Sequence, residues 1–427
     1  MTLGWGQIVR LGLVQMCLGA VVVLTTSTLN RLMVVELALP AVVPGLLVAL
    51  HYGIQITRPN WGYRSDTKGN RTAFVIGGMA ALSLGAMLAT VAVVVMPGLP
   101  VAGLMLSVLA YALIGVGVGA SGTSLLALLA TATHPRRRAA AATITWLMMI
   151  LGIAVTAGTV GAFLDPYSPS LLLQIVAIVT GGAVVLTTLA IWGIERRVTA
   201  ERPQESAPFR QGLAEVWAER RARNFTLFIF LSMVAYFMQE LILEPYAGLV
   251  FGMSPGQSTG LSGAQNGGVF VGMLAVGIAA TGLRIGSLRM WVMLGCVGSA
   301  LALAVIAALG QTGGALVPAV VALGFFNGVF AVAAIGSMMA LAGEGRDARE
   351  GTRMGLWGAA QALAAGFGGL VGAAAVDALR FAFDAPDAFG AVFVAEAGLF
   401  LIAAAIAARV IEGGAPRPLQ GHLVPGE

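Results

Sequence analysis

Two cysteines, three histidines and a single lysine in 427 residues leave this chain few routes to chemistry of its own. Cys17 and Cys296 both fall inside apolar stretches, so neither a disulfide framework nor a thiolate metal site is expected; a buried free cysteine behaves as a small hydrophobe. His51, His134 and His422 cannot be written into a His-Glu-x-x-His zinc site. The lysine, Lys68, stands in Asp66-Thr67-Lys68-Gly69, so the chain has no phosphate-cradling Walker loop and ATP is not an expected partner. Any transport is therefore passive, ion-coupled or driven by a partner, and the chain reads as a non-enzyme. Charge is scarce as well. With 10% charged and 58% hydrophobic residues and a mean hydropathy of +0.90, the chain carries more apolar surface than a water-soluble globule of this size can hide. It is an integral membrane protein.

Its apolar runs are continuous and about twenty residues long, as bilayer-spanning helices require; membrane barrels alternate over segments of about ten. The expected fold is all-α. Twelve runs lie near residues 11–30, 38–57, 73–95, 101–125, 140–163, 171–192, 225–247, 260–281, 288–309, 315–340, 355–376 and 388–410. The first is too long for the apolar core of a cleaved signal peptide and is expected to remain as an anchor. Glycine supplies 58 residues, and small residues let helices approach closely where lipid offers no hydrophobic drive for association. The polar interval between runs six and seven divides the chain into an N-terminal six-helix half (1–192), a linker (193–224), a C-terminal six-helix half (225–410) and a short tail (411–427).

Orientation follows from the basic residues. With the N-terminus in the cytoplasm, 22 of the 24 fall on the cytoplasmic side and only Arg31 and Arg380 on the other. That places both termini inside. It also accounts for the net charge of +5 through topology and anionic lipid, with no nucleic acid involved.

The connection after run two reads Gly62-Tyr63-Arg64-Ser65-Asp66-Thr67-Lys68-Gly69-Asn70-Arg71. Glycine permits a tight turn, while Asp66 can cap a helix N-terminus and pair with Arg64 or Arg71 as the cytoplasmic ends close. The spacing of Gly62, Asp66, Gly69 and Arg71 resembles the loop motif of the major facilitator superfamily. An ordinary charged turn that sets topology is the alternative. Many proton-coupled members keep an arginine in helix four, four residues ahead of a glycine-rich stretch; here Tyr111 stands there, ahead of Gly115-Val116-Gly117-Val118-Gly119. That departure weakens drug–proton antiport in the usual style.

The most informative segment is Gln239-Glu240-Leu241-Ile242-Leu243-Glu244-Pro245-Tyr246, two carboxylates four residues apart in apolar surroundings. An acid at membrane depth costs about 2.5 kcal/mol or more on insertion scales, so one that is kept there usually has a partner or a task. Spacing of four puts both on one helix face, Glu240 in the hydrocarbon layer and Glu244 toward the interface. Pro245 is expected to end or kink the helix. Together with Phe251-Gly252-Met253-Ser254, the segment resembles the signature of the PucC-type bacteriochlorophyll delivery family, a branch of the major facilitator superfamily. Leu29-Asn30-Arg31-Leu32-Met33-Val34-Val35-Glu36-Leu37 is similar to that family's first outer loop. Arg58-Pro59-Asn60-Trp61-Gly62-Tyr63-Arg64-Ser65-Asp66 is similar to its second-to-third connection, and Trp146-Leu147-Met148-Met149-Ile150-Leu151-Gly152 to its fifth helix. The resemblance covers essentially the whole chain. It implies the inner (intracytoplasmic) membrane of a photosynthetic bacterium, bacteriochlorophyll or a related tetrapyrrole as cargo, and a role in supplying pigment to light-harvesting polypeptides. The short tail is more like the paralogues grouped with pigment biosynthesis. An ion-coupled transporter of a small amphipathic solute and an assembly scaffold without pigment are the alternatives.

Asn30, Arg31 and Glu36 face the same end as the two acids, so an Arg31 pair with Glu240 or Glu244 would latch the outer side, or else be a permanent packing pair. His51 is a candidate axial ligand to pigment magnesium or one half of an interhelical hydrogen bond. Gln265 and Asn266 either line a cavity or join helices. Glu396, in the middle of run twelve, is a further intramembrane acid, or a protonated one bonded to a carbonyl. Phe209, Leu213, Val216 and Trp217 recur at helical spacing among arginines, an amphipathic interface helix that anchors to the membrane, tethers the halves or docks a partner such as a pigment synthase.

Overall fold

The computed structural model of this chain describes residues 2–58, 61, 70–134, 137–195, 217–283, 285–343 and 350–411. They form helices α1 (Trp5–Glu36), α2 (Val42–Thr57), α3 (Arg71–Val95), α4 (Pro100–Ala132), α5 (Arg138–Phe163) and α6 (Pro169–Ile191). After the linker come α7 (Arg220–Phe251), α8 (Pro255–Val276), α9 (Leu288–Thr312), α10 (Leu316–Gly343), α11 (Glu350–Leu379) and α12 (Ala385–Val410). Among the described residues, eleven helical spans are long and apolar enough to cross a membrane, and α2 is a shorter apolar helix in the place of the second expected run. The all-helical membrane fold is as the composition requires.

Local chemistry sets the helix starts. Proline in the first turn opens α4, α6, α8 and α12, where its missing N–H costs nothing. Ser168, Ser254, Ser287 and Asp384 each accept a hydrogen bond from the backbone N–H three residues on.

Helix pairing repeats at an interval of six. α1 packs on α5 and α6 as α7 packs on α11 and α12; α2 and α3 pack on α4 as α8 and α9 pack on α10; α3 meets α6 as α9 meets α12. Buried apolar side chains form one core among residues 3–194 and another among residues 225–411, each borrowing one or two residues from the other. Between them run the contacts α2–α11, α5–α8 and α1–α7. At the α5–α8 crossing the backbones touch: a Cβ on Gly161 would stand 2.5 Å from the Gly260 nitrogen, and one on Gly263 2.5 Å from the Gly158 nitrogen. Only glycine permits that approach.

Two helices differ from their expected runs. The segment Leu29 to Glu36, expected as an outer loop, is helical, and α1 continues through it in two π-helical stretches, Leu24–Thr28 and Leu32–Glu36. Nor does α7 end at Pro245; it runs on to Phe251 and stops at Gly252, whose φ of 64° suits glycine. Of the amphipathic linker helix, Phe209 to Val216 lie outside the described residues, as do the loop-motif residues Gly62, Arg64, Asp66 and Gly69 and the tail beyond 411.

Candidate functional site

The π-stretches give α1 its chemistry. A π-turn widens the bonding step and leaves backbone groups to be satisfied from outside the helix. The Thr25 carbonyl turns out to accept the Tyr111 hydroxyl at 2.8 Å, which is the structural use of the tyrosine that replaces the familiar arginine. Thr25, Thr26, Ser27, Thr28, Asn30 and Arg31 are all buried, an uncommonly polar stretch for a helix interior.

Opposite them lies α7. The Ser27 hydroxyl donates to Glu244 Oε1, with Ser262 of α8 facing the same carboxylate. The Thr28 hydroxyl meets that of Thr259, again on α8, at 3.2 Å. Asn30 Nδ2 donates to the Leu241 carbonyl at 2.8 Å. That carbonyl is the one Pro245 leaves without its i+4 N–H, so α7 passes through a proline because α1 supplies the missing donor. Tyr246 is fully buried against Phe251, Phe389 and Phe393 and donates to the Ile306 carbonyl at 2.7 Å, tying α7 to α9 and α12.

Arg31 takes a different partner from either expected acid. Its Nη1 pairs with Glu36 at 2.5 Å on its own helix, while Nη2 donates to the Met253 carbonyl beyond α7 at 2.7 Å. The reason is position: Glu36 lies one π-turn further along α1, whereas Glu244 is already engaged by Ser27. Gly248 makes room, since a Cβ there would stand 3.2 Å from Nη2. Tyr167, in the α5–α6 connection, lies beside this pair; burial pushes its phenol pKa up and Glu36 adds to the rise, with Arg31 opposing.

Two acids that sequence reasoning passed over complete this end of the bundle. Asp377 near the end of α11 accepts the Ala41 and Val42 amides at 2.9 and 2.7 Å, capping α2. Asp165, just beyond α5, accepts the Ser254 hydroxyl at 2.5 Å and the Gly256 amide at 3.2 Å, capping α8. Each cap joins one core to the other, and the two stand in corresponding places of the repeated helix pattern. The Ser254-Pro255-Gly256-Gln257 run carries the residue types of a helix start, ahead of the expected run at 260–281; the acid that meets it comes from a distant connection.

The remaining candidates lie deeper. Glu240 is partly exposed, with the Thr26 hydroxyl within reach and the phenols of Tyr236 and Tyr52 nearby. Gln239 is buried and donates to the Tyr236 carbonyl at 3.3 Å. His51 is 2% exposed, with Nε2 at 3.0 Å from Gln55 Nε2 one turn along the same helix, Nδ1 without a partner and its ring edge-on to Tyr52, so its bond is made within α2 and not between helices. Asn266 donates to the Ser262 carbonyl on its own helix at 3.0 Å, and Gln265 is partly buried, its backbone carbonyl 2.0 Å from where a Cβ on Gly324 would lie. Glu396 is fully buried and neither carboxyl oxygen has a hydrogen-bond partner, so the bond to a carbonyl is not formed. Arg71 sits at the start of α3, donating from Nη1 to Thr131 at 2.6 Å, while Glu195 accepts the Arg71 and Thr72 amides at 2.8 Å as a cap.

Comparison with known proteins accords with this architecture. The chain is 72% identical over 413 residues to the bacteriochlorophyll synthase 44.5 kDa chain of Rhodobacter capsulatus, covering 96% of each. It is 29% identical over 426 residues to Protein PucC of Cereibacter sphaeroides, covering 93% of this chain and 90% of that protein. Among solved structures it resembles a bacterial homologue of the human drug peptide transporters PepT1 and PepT2 with a TM-score of 0.71 at 15% identity, covering 95% of this chain and 97% of the other. A bacterial homologue of the lysosomal transporter Spinster, in an inward-facing and unoccupied conformation, matches with a TM-score of 0.69 at 15% identity, covering 95% and 97%. These likenesses show the fold of membrane transporters. The PUCC protein family profile matches residues 28–415, and the chain belongs to that family.

Proposed function

We propose that this membrane factor of photosynthetic bacteria carries bacteriochlorophyll or a precursor and delivers it to nascent light-harvesting polypeptides. The observation that carries the reading is the near-complete match to a relative named as a bacteriochlorophyll synthase chain. The geometry supports a carrier. Side-chain bonds close the bundle where α1 and α7, α2 and α11, and α5 and α8 meet, while Glu240, Tyr236 and Tyr52 stay partly exposed further in, a polar spot beside aromatic walls. Ligand sites of this kind are mostly apolar with a few placed polar groups.

In this reading the helices form two six-helix halves, 1–192 and 225–410, with both termini cytoplasmic in the inner, intracytoplasmic membrane, and the closed end faces outward. The repeated pairing and the arginine distribution support it. The chain works beside a pigment synthase by taking up product, with no catalysis of its own, and the synthase-chain name of its relative fits a companion of that enzyme. Bacteriochlorophyll is cargo, not a resident cofactor.

Gentle purification from a pigment-making host, followed by an absorbance spectrum, tests this. Stoichiometric pigment that co-purifies and is lost on Glu240→Ala or Tyr236→Ala is the expected result; pigment-free protein under these conditions overturns it. Ion-coupled transport is the second reading, favoured by the uncompensated carboxylate considered next.

A further inference from the structure

Glu244 is a buried carboxylate without an ion pair of its own. It is 3% exposed; Oε1 accepts a hydrogen bond from the Ser27 hydroxyl and Oε2 has no hydrogen-bond partner. Among the described residues, the cation that acts on it is Arg31, whose ion pair is with Glu36, so Arg31 reaches Glu244 only at a distance and leaves its Oε2 without a partner. The other charge on this face of α7 is Glu240, one turn away and also acidic. A carboxylate held in hydrocarbon with neutral neighbours is strongly disfavoured unless a positive charge arrives.

The neighbours are oxygens of one kind. Ser27 is bonded to Glu244, and Thr28, beside it, meets Thr259. Thr259 and Ser262 are three residues apart on one face of α8, and Ser262 faces Glu244. Asn30 donates its nitrogen to Leu241, three residues from Glu244, which leaves Oδ1, buried and without a partner, as an acceptor. These six side chains are all less than a tenth exposed and come from three helices. Among the described residues no group of three or more His, Cys, Asp or Glu could hold a metal ion, which argues against a transition metal here. One carboxylate with neutral oxygens matches one hard positive charge. Irregular helix at membrane depth is a recurrent setting for Na+ ligands.

We propose that Ser27, Thr28, Asn30, Glu244, Thr259 and Ser262 form a binding site for Na+. Occupancy supplies the charge Glu244 lacks and links α1, α7 and α8 through one ion. This stands apart from the pigment reading, which it neither needs nor supports.

The test is thermal unfolding of the full chain in detergent, in NaCl against choline chloride at equal ionic strength. Sodium should raise the Tm by about 2 °C or more, since a ligand of the folded state stabilises by mass action. The rise should vanish in Glu244→Gln, which keeps an acceptor for Ser27, and shrink in Thr259→Val. A Tm equal in both salts, with an infrared band of a protonated carboxyl that disappears in Glu244→Gln, overturns the proposal in favour of a proton. A sodium effect that persists in both variants overturns it as non-specific.

Discussion

Asn30 gives its amide proton to the Leu241 carbonyl that Pro245 leaves open, so the asparagine on α1 and the proline on α7 act as one device. A proline inside a helix costs about 3 kcal/mol when nothing replaces the lost bond. Asn30→Ala should therefore destabilise the protein by about 1–2 kcal/mol. In a Pro245→Ala background, where α7 closes its own bond, the same change should cost clearly less. A double-mutant cycle read by thermal unfolding checks this; equal costs in both backgrounds would break the link.

Ser27→Ala should lower stability by roughly 1–3 kcal/mol, because it strips the hydroxyl donor bonded to Oε1 of the buried Glu244 carboxylate. Combining it with Glu244→Gln should recover part of that loss, as the side chain left behind is neutral.

Gly248→Ala should cost about 1–3 kcal/mol by crowding Val35 and the Arg31 guanidinium, which the Met253 carbonyl holds in place. Arg31→Lys should not rescue it, since an ammonium cannot hold Glu36 and Met253 in the same forked geometry. Melting curves of the single and double variants decide this.

Asp165→Ala and Asp377→Ala each remove a helix cap worth about 0.5–2 kcal/mol. Together they should loosen the closed end, and a cysteine introduced at Thr28 should react faster with a membrane-impermeant maleimide than in the parent. Unchanged labelling would show that the caps stabilise helices without holding the end shut.

Glu396→Met should raise thermal stability, by about 1–3 kcal/mol, because both carboxyl oxygens lie unpaired in an apolar core. A loss of co-purifying pigment in that otherwise stable variant would give Glu396 a task in the proposed pigment binding.

Much of the fold is legible in the apolar runs: twelve helices stand close to the twelve stretches, since length and hydropathy are local properties that the bilayer enforces. The α1–α7 site was legible in part. Glu244 and Asn30 stand out as polar residues at depth, but which group each one meets depends on helix register and on backbone groups freed by π-turns and proline, and side-chain chemistry alone does not display these. Arg31 shows the difference: charge suggests an acid across the interface, whereas the chain's path brings Glu36 closer. Asp165 and Asp377 do not stand out in the sequence because their partners are backbone amides of distant segments, and an amide leaves no mark on a sequence. Helix α1 is longer than its apolar run because Asn30 and Arg31, polar residues that resemble an outer loop, find partners in the Leu241 and Met253 carbonyls and in Glu36.

The two aspartate caps draw their positive partners from peptide groups and not from lysine or arginine. Mobile ions compete well with exposed side-chain charges, but poorly with a carboxylate seated on the amides of a helix start. The joints at that end of the bundle should therefore keep their strength across a wide range of ionic strength.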